Sequence, residues 1–198
     1  MLKKYQKILP FLLFTPFALS MIACVSVDVG DQGQSCSAYG VCMPGLKCKN
    51  GLCEISSEWQ DPTTGYIWQK TPPTVTKSWQ GAIDYCTGLK LDDISGWHLP
   101  TISELRTIIR GCPETETGGA CGVEDPGCLD STNCWDECFG CSGGCYLDSN
   151  LAGPCSVYWS SSPHAKFSGF AWFVNFEDGQ LDYGQYDKYD VRCVRSGP

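Results

Sequence analysis

The sequence predicts an α+β fold in which two short helices and several antiparallel strands are held together by disulfide bonds. Three observations lead to this prediction. Residues 78–111 contain two amphipathic helix patterns, residues 157–195 contain strand patterns, and the chain has 15 cysteines. Cysteines at this density are typical of exported domains with small cores, so disulfides are expected to supply much of the stability.

The first helix pattern has apolar residues at intervals of three and four, which places them on one face of a helix. These residues are Trp79, Ala82, Ile83, Cys86 and Leu89. Ser78 precedes them and is predicted to cap the helix. The pattern therefore directs Cys86 toward the core, where it can form a disulfide with another part of the chain.

The second helix pattern begins at a predicted capping box, in which Thr101 and Glu104 each satisfy a backbone N–H group. Four apolar residues are then expected to face the core, namely Ile102, Leu105, Ile108 and Ile109. Gly111 is predicted to end this helix.

The N-terminus has the pattern of an export signal. Three lysines precede an apolar stretch over residues 8–18, which is short for a membrane span. The stretch ends in Leu19-Ser20-Met21-Ile22-Ala23-Cys24, which resembles the lipobox of bacterial lipoproteins. We expect cleavage after residue 23 and a lipid on the sulfur of Cys24. The alternative is an ordinary secretory signal, with Cys24 in a disulfide.

The cysteine count agrees with a lipid on Cys24, because the remaining 14 thiols can pair completely. Zinc is the rival interpretation for the closely spaced thiols, but an exported chain with two histidines favours disulfides. Removal of residues 1–23 leaves 11 basic and 22 acidic side chains. Nucleic acid is therefore not expected as a partner, and polyanionic sugars are disfavoured. The same charge can also serve solubility alone.

The mature chain is predicted to begin with a tether, residues 24–35, followed by a small disulfide-rich module, residues 36–53. The spacing of the four cysteines in this module resembles small knotted modules in which alternate cysteines pair. That pattern joins Cys36 to Cys48 and Cys42 to Cys53, although three connectivities are open from the sequence alone. A spacer and a binding module both fit this segment.

A cysteine-rich insertion, residues 112–155, interrupts the main domain. It is rich in Gly, Asp, Ser and Asn, and its eight thiols allow four internal disulfides. A loop of this length inside a compact domain is expected to be functional or stapled. We predict that Cys112 and Cys155 bring its two ends together.

Strand patterns precede the helices at residues 66–70 and follow the insertion at residues 157–161, 180–183 and 191–195. The clearest pattern covers residues 170–176, where alternate side chains should lie on opposite faces. One face carries Phe170, Trp172, Val174 and Phe176, and the other carries Ala171, Phe173 and Asn175. Residues 177–179 are predicted to form a hairpin turn. An early helix with Cys86 and a final strand with Cys193 favour a disulfide between them.

Six motifs in order resemble the Lcl C-terminal domain, a bacterial family first catalogued as a domain of unknown function. They are Thr64-Gly65 with Trp68-Gln69, Trp79 to Ala82 with Tyr85-Cys86, Trp97 to Thr101 with Glu104-Leu105, Tyr158 to Ser161, Ala171-Trp172 with Val174, Phe176 and Gly179, and Val191 to Arg195. The resemblance covers residues 57–196 and implies a C-type lectin-like fold. It also implies the disulfide between Cys86 and Cys193.

Two features depart from the family pattern. His98 stands where members usually have Arg, and the insertion over residues 112–155 is longer than in simpler members. The carboxylate and amide triplets that hold calcium in true C-type lectins are missing from the sequence, so no metal and no cofactor are expected.

No catalytic site is predicted. Leu99-Pro100-Thr101 followed by Glu104 also resembles formylglycine-generating enzymes, which use reactive cysteines, but Cys193 matches a structural position. His98 and His164 are isolated histidines, and Ser160, Ser161 and Ser162 lie in or beside a strand, so a nucleophile with its base and orienting acid cannot be assembled. A thiol enzyme therefore remains only as an alternative.

The sequence predicts a non-enzymatic, lipid-anchored envelope protein that recognises a glycan or a protein. Val25 lacks the acidic character of an inner-membrane retention signal, which favours the outer membrane. The candidate surface is the insertion together with the hairpin residues Trp172, Asn175, Asp178, Asp182 and Tyr183. Ordinary sheet and turn packing of these residues is the alternative, and it accompanies the hypothesis of a purely structural envelope protein.

Overall fold

The computed structural model describes residues 31–37, 40–43 and 46–197. The predicted signal peptide and the predicted lipidation site at Cys24 lie outside these residues. The helices are α1 (Trp79–Gly88) and α2 (Ile102–Arg106). The strands are β1 (Leu46–Lys49), β2 (Leu52–Ile55), β3 (Glu58–Gln60), β4 (Ile67–Gln69), β5 (Val157–Pro163), β6 (Ala171–Asn175), β7 (Gln180–Gly184) and β8 (Val194–Arg195).

The strands form three antiparallel sheets. The hairpin β1–β2 belongs to the small module, and the main domain contains the sheets β3–β4–β8 and β5–β6–β7. Seven disulfides join all 14 cysteines of the described residues. The predicted α+β class with antiparallel sheets and many disulfides is confirmed.

The sheet β5–β6–β7 is the centre of the domain because both of its faces are buried. Trp172, Val174 and Phe176 face one core, which also receives Ile102 and Leu105 of α2. On the other side, Ala171 and Phe173 face a second core that contains Ala82 and Cys86 of α1. The two-residue alternation predicted for β6 is confirmed, and it separates the two helices onto opposite faces of one sheet.

Both predicted helix starts are present. The hydroxyl of Ser78 accepts a hydrogen bond from the N–H of Gly81 at 3.3 Å. At the start of α2, the hydroxyl of Thr101 accepts from the N–H of Glu104 at 3.1 Å, and the Glu104 carboxylate accepts from the N–H of Thr101 at 2.8 Å. This reciprocal pair satisfies two backbone donors and fixes where the helix begins.

The prediction for the end of α2 is wrong. The helix ends at Arg106, and Ile108 and Ile109 are buried outside it. Ile109 forms a β-bridge with Leu147, and the N–H of Arg110 donates to the carbonyl of Tyr146 at 2.7 Å. These bonds to the returning insertion replace the helical ones, so the chain leaves the helix before Gly111.

The final strand is also shorter than predicted. Only Val194 and Arg195 pair with β4. The backbone N–H of Cys193 donates to the side-chain amide oxygen of Gln69 at 3.2 Å. In a regular strand, this N–H would donate to a backbone carbonyl of the neighbouring strand. Cys193 is bonded to Cys86 with a Cα–Cα distance of 5.4 Å, which joins α1 to the residue before β8.

The disulfides of the small module have the predicted pattern, since Cys36 is bonded to Cys48 and Cys42 to Cys53. The insertion contains four internal disulfides, which is the predicted number. They join Cys112 to Cys141, Cys121 to Cys138, Cys128 to Cys134, and Cys145 to Cys155.

The predicted disulfide between Cys112 and Cys155 is therefore wrong. The N–H of Asp148 donates to the carbonyl of Ile108 at 3.0 Å, in line with the bridge between Ile109 and Leu147. The two ends of the insertion already meet through these backbone contacts. Cys155, which lies beyond this meeting point, pairs locally with Cys145.

Arg106 holds the first part of the insertion from inside. Its side chain is buried and donates to four backbone carbonyls at 2.6 to 3.1 Å, those of Thr115, Glu116, Cys121 and Val123. Burial lowers the pKa of this guanidinium. The carbonyl dipoles stabilise the charge in place of a carboxylate and fix the path of residues 115–123.

Candidate functional site

The five predicted ligand-binding residues do not form one surface. Trp172 is fully buried, and its indole N–H donates to the carbonyl of Leu129 at 3.2 Å. In the strand register, Trp172 is opposite Tyr183 and Phe173 is opposite Asp182. Tyr183 therefore lies on the side of the insertion, and Asp182 lies on the other face, where burial raises the pKa of its carboxyl group.

The other two predicted residues shape the hairpin turn between β6 and β7. The side chain of Asn175 accepts from the N–H of Glu177 at 3.1 Å, and that of Asp178 accepts from the N–H of Gln180 at 2.9 Å. These are the local bonds of turn residues. Of the predicted set, only Tyr183 lies on the aromatic surface described next.

A continuous row of aromatic rings lies where the insertion meets β7. We call it the aromatic strip, and it consists of Phe139, Trp135, Tyr183, Phe167 and Phe170. Neighbouring ring centres along it are 5.3 to 6.4 Å apart, within the range of favourable aromatic contacts. Phe139 is 60% exposed and Phe167 is 44% exposed, so both open onto solvent.

Backbone bonds between the insertion and β7 position the strip. The indole N–H of Trp135 donates to the carbonyl of Leu181 at 3.2 Å, and the N–H of Leu181 donates to the carbonyl of Cys138 at 3.2 Å. The disulfide between Cys121 and Cys138 fixes the same segment. Trp135 and Phe139 are thereby held at a defined place beside Tyr183.

His164 lies beneath the strip and is buried at 4% exposure. Its ring stacks on Phe167 at 4.6 Å and contacts Tyr183 at 4.4 Å. The ring nitrogen Nδ1 accepts from the N–H groups of Lys166 and Phe167 at 3.1 Å each. Nδ1 must keep its lone pair to make these bonds, and burial lowers the pKa of His164.

The charged groups around the strip are mostly acidic. Asp136 and Glu137 are exposed next to Trp135. Lys166, beside Phe167, forms an ion pair with Asp130 at 2.7 Å, and this lysine lowers the pKa of the Asp130 carboxyl group. The strip thus offers apolar ring faces and carboxylates, while the ammonium group of Lys166 is already paired.

The family model described as the Lcl C-terminal domain matches residues 58–195. The chain belongs to this family. No match to a curated protein is found. In this Lcl C-terminal domain, the residues that carry the sequence resemblance mainly build the two cores and the Cys86–Cys193 disulfide, whereas Trp135 and Phe139 lie in the insertion.

The cysteine sulfur atoms of the described residues do not fit a metal centre. Two groups of side chains have ligand atoms close together, Cys36 with Cys42 and Cys53, and Cys112 with Glu114 and Cys141. Every cysteine in both groups is in a disulfide, so none can supply the thiolate that a metal requires. Within the described ranges, no helix is long and apolar enough to cross a membrane.

The predicted surface included the insertion, and thus Trp135 and Phe139, but it did not single them out, and it did not include Phe167 and Phe170. A signal was present, because Trp135 and Phe139 are the large aromatic residues of a segment otherwise rich in Gly, Asp and Ser. Their neighbours Cys134 and Cys138 are both in disulfides, which makes that segment rigid. Aromatic residues in a polar loop held by disulfides therefore indicate a binding surface better than Trp172 does, because strand alternation buries Trp172.

Proposed function

We propose that this protein is a lipid-anchored envelope protein whose C-type lectin-like domain recognises a glycan without catalysis. The observation that carries the proposal is the aromatic strip. Aromatic faces stack on the apolar C–H faces of sugar rings, and the carboxylates of Asp136 and Glu137 are acceptors for sugar hydroxyls. A rigid surface with exposed rings loses little entropy when it binds.

Three observations support the lectin-like and non-catalytic parts of the proposal. The disulfide between Cys86 and Cys193, which the family resemblance implies, joins α1 to the residue just before β8. The seven disulfides use every thiol of residues 31–37, 40–43 and 46–197, which argues against a thiol nucleophile there. The acceptor nitrogen Nδ1 of His164 is engaged by the N–H groups of Lys166 and Phe167, so it is not free to act as a base.

The proposed lipid anchor and outer-membrane location are supported by the sequence alone. The lipobox pattern at residues 19–24 supports a lipid on Cys24, and Val25 supports outer-membrane placement. Intact-mass measurement of the protein from its native host tests the anchor. We expect the mass of a diacylglycerol-modified chain that begins at Cys24, and a bare Cys24 would contradict the anchor.

A glycan array with the wild-type protein and the variant Trp135→Ala/Phe139→Ala tests recognition. The wild type should bind at least one class of glycan equally well with calcium and with a chelator. The variant should bind it at least about tenfold more weakly, which corresponds to ~1.4 kcal/mol. Tyr186→Ala is the matched control, because Tyr186 is 87% exposed and makes none of the ring contacts of the strip.

The array also distinguishes glycan recognition from the alternative hypothesis of a purely structural envelope protein. A folded wild-type protein that binds no glycan under either condition would contradict recognition and favour a purely structural envelope protein. Equal binding by the wild type and the double variant would show that recognition does not use the strip.

A further inference from the structure

A groove separate from the residues of the aromatic strip runs alongside α2. Two cavities of about 390 and 520 Å³ adjoin there and share Thr64, Thr107 and Thr117 in their linings. Residues 61–66 form one wall, α2 and the residues after it form the floor, and residues 116–125 form the other wall. Cavities of this size lie within the range that small-molecule ligands occupy.

Asp61 fixes the wall formed by residues 61–66, and it is buried, with 1% of its surface exposed. Its carboxylate accepts from the N–H of Thr63 at 2.9 Å and from the hydroxyl of Thr64 at 2.8 Å. The opposite wall is fixed by the bonds from Arg106 to the carbonyls of Thr115, Glu116, Cys121 and Val123. Both walls are therefore pre-organised before any ligand arrives, which reduces the cost of binding.

The other ionic side chains that line the groove also have partners within the described residues. Glu104 accepts from Thr101 and contacts His98, Glu116 accepts from the N–H of Cys112, Asp125 accepts from the hydroxyl of Ser162, and Arg110 forms an ion pair with Asp148 at 2.9 Å. These charges stabilise the walls. An anionic ligand would find no free cation among them, because Arg106 and Arg110 are both engaged.

The groups left for a ligand are uncharged hydroxyls. The side-chain hydroxyls of Thr63, Tyr66 and Thr117 form no hydrogen bond with any other described residue. The hydroxyl of Thr107 donates to the carbonyl of Glu104 at 2.6 Å and retains an acceptor lone pair. Hydroxyls that both donate and accept match the hydroxyls of a sugar.

We propose that this groove is a second binding site, and that its ligand is a neutral oligosaccharide chain. An anionic chain would lie against Glu104, Glu116 and Asp125 with Arg110 already paired. An apolar peptide would find no pocket for a large side chain, since Ile109 is buried and the ring of Tyr66 is the one aromatic surface among the lining residues. Two adjoining cavities offer room for a short chain of sugars rather than for a single ring.

The test uses two-dimensional amide NMR of the full mature chain with three neutral hexasaccharides, cellohexaose, maltohexaose and chitohexaose. At least one of them should shift the backbone amides of Thr63, Thr107 and Thr117 in a saturable titration. Thr63→Val/Thr117→Val keeps the side-chain shape, removes two hydroxyls and should weaken that titration at least tenfold. Thr74→Val/Thr76→Val is the matched control on two exposed threonines elsewhere, and it should titrate like the wild type.

The proposal is overturned if none of the three hexasaccharides shifts the groove amides at millimolar concentration, or if Thr63→Val/Thr117→Val binds as the wild type does. The variant Trp135→Ala/Phe139→Ala separates the two sites. The groove shifts should persist in it, and their loss would assign them to the aromatic strip and overturn a separate groove site. If an oligosaccharide shifts the groove amides but no amide of the aromatic strip, the result supports the groove site and contradicts glycan binding by the strip.

Discussion

His164 links the ionisation of one residue to the shape of the aromatic strip. Its two ring nitrogens face three backbone N–H groups, those of Lys166 and Phe167 at Nδ1 and that of Ser131 at Nε2, 3.3 Å away. A second proton would place a ring N–H against these donors and remove both bonds to residues 166 and 167. The charged groups nearest to the ring are Asp130 and Lys166, which are paired with each other.

The lowered pKa of His164 predicts a loss of stability on mild acidification. The unfolded histidine takes up a proton near pH 6.5, but the folded one resists it. The stabilisation is therefore fully present above that pH and is lost as the pH falls toward the folded pKa. Chemical unfolding at pH 7.5 and 5.5 should show a larger decrease in the free energy of unfolding for the wild type than for His164→Gln.

The comparison of the two proteins isolates His164. Asp182 has a raised pKa and titrates in both of them, and the lowered pKa values of Asp130 and Glu104 keep these carboxylates ionised above pH 5. Burial alone would raise the pKa of Glu104, but hydrogen bonds from His98 and Thr101 outweigh it. An equal decrease in the two proteins would contradict the proposed role of His164.

Substitution of the buried Arg106 is expected to have a large effect on the free energy of unfolding. Arg106→Met leaves four backbone carbonyls without their donor, and it should lower the free energy of unfolding by about 3 kcal/mol. Urea unfolding measures this value. Arg110→Met is the matched control, because the side chain of Arg110 is 43% exposed and water can take its place at Asp148, so a smaller effect is expected. Equal effects of the two substitutions would contradict the organising role of Arg106.

At the scale of the elements, α2 depends on its capping box because it has only five residues. Thr101→Ala removes the acceptor for the N–H of Glu104 and should cost about 1 kcal/mol in the free energy of unfolding. Thr74→Ala, at an exposed position before α1, should change it by less than about 0.5 kcal/mol. A Thr101→Ala protein as stable as the control would show that packing alone holds α2.

The elements that were predicted well are those whose signal is local. The capping residues Ser78 and Thr101 and the alternation in β6 depend on near neighbours in sequence, and all of them are present in the structure. The end of α2 and the start of β8 depend instead on distant partners, Leu147 and Gln69. Local patterns cannot indicate where such partners will compete for backbone bonds.

In the insertion, local sequence patterns also fail to indicate the disulfide partners and the residues of the candidate site. Eight cysteines allow 105 pairings, and backbone contacts that the sequence does not show decide where the ends of the insertion meet. The ligand-binding residues were predicted on the regular strand, where the pattern was clear. The aromatic strip instead combines β7 with two irregular segments, residues 135–139 and 164–170, whose folded positions have no periodic signal.

At the scale of the whole molecule, the disulfide between Cys86 and Cys193 closes a loop of 107 residues. In the chain-entropy model, a loop of this length contributes ~5 kcal/mol to the free energy of unfolding. Cys86→Ser/Cys193→Ser should lower the main unfolding transition by about that amount in urea. Cys36→Ser/Cys48→Ser is the control, since it opens a short loop in the small module and should leave the main transition nearly unchanged.

The proposed protein combines a disulfide scaffold, a membrane anchor and a recognition surface. The scaffold belongs to the Lcl C-terminal domain family, and its insertion, part of the predicted surface, carries Trp135 and Phe139 of the aromatic strip. The anchor at Cys24 and the recognition of a glycan remain proposals with separate tests. Either can fail without the other, because the strip is built entirely from residues of the folded domain.

Hydroxyl-radical footprinting of the mature protein, with and without a glycan that it binds on the array, tests the central claim most directly. The account predicts that the glycan protects Trp135, Phe139 and Phe167 from oxidation while the oxidation of Tyr186 stays unchanged. Unchanged oxidation of all three strip residues in the presence of a saturating glycan would contradict recognition by the aromatic strip.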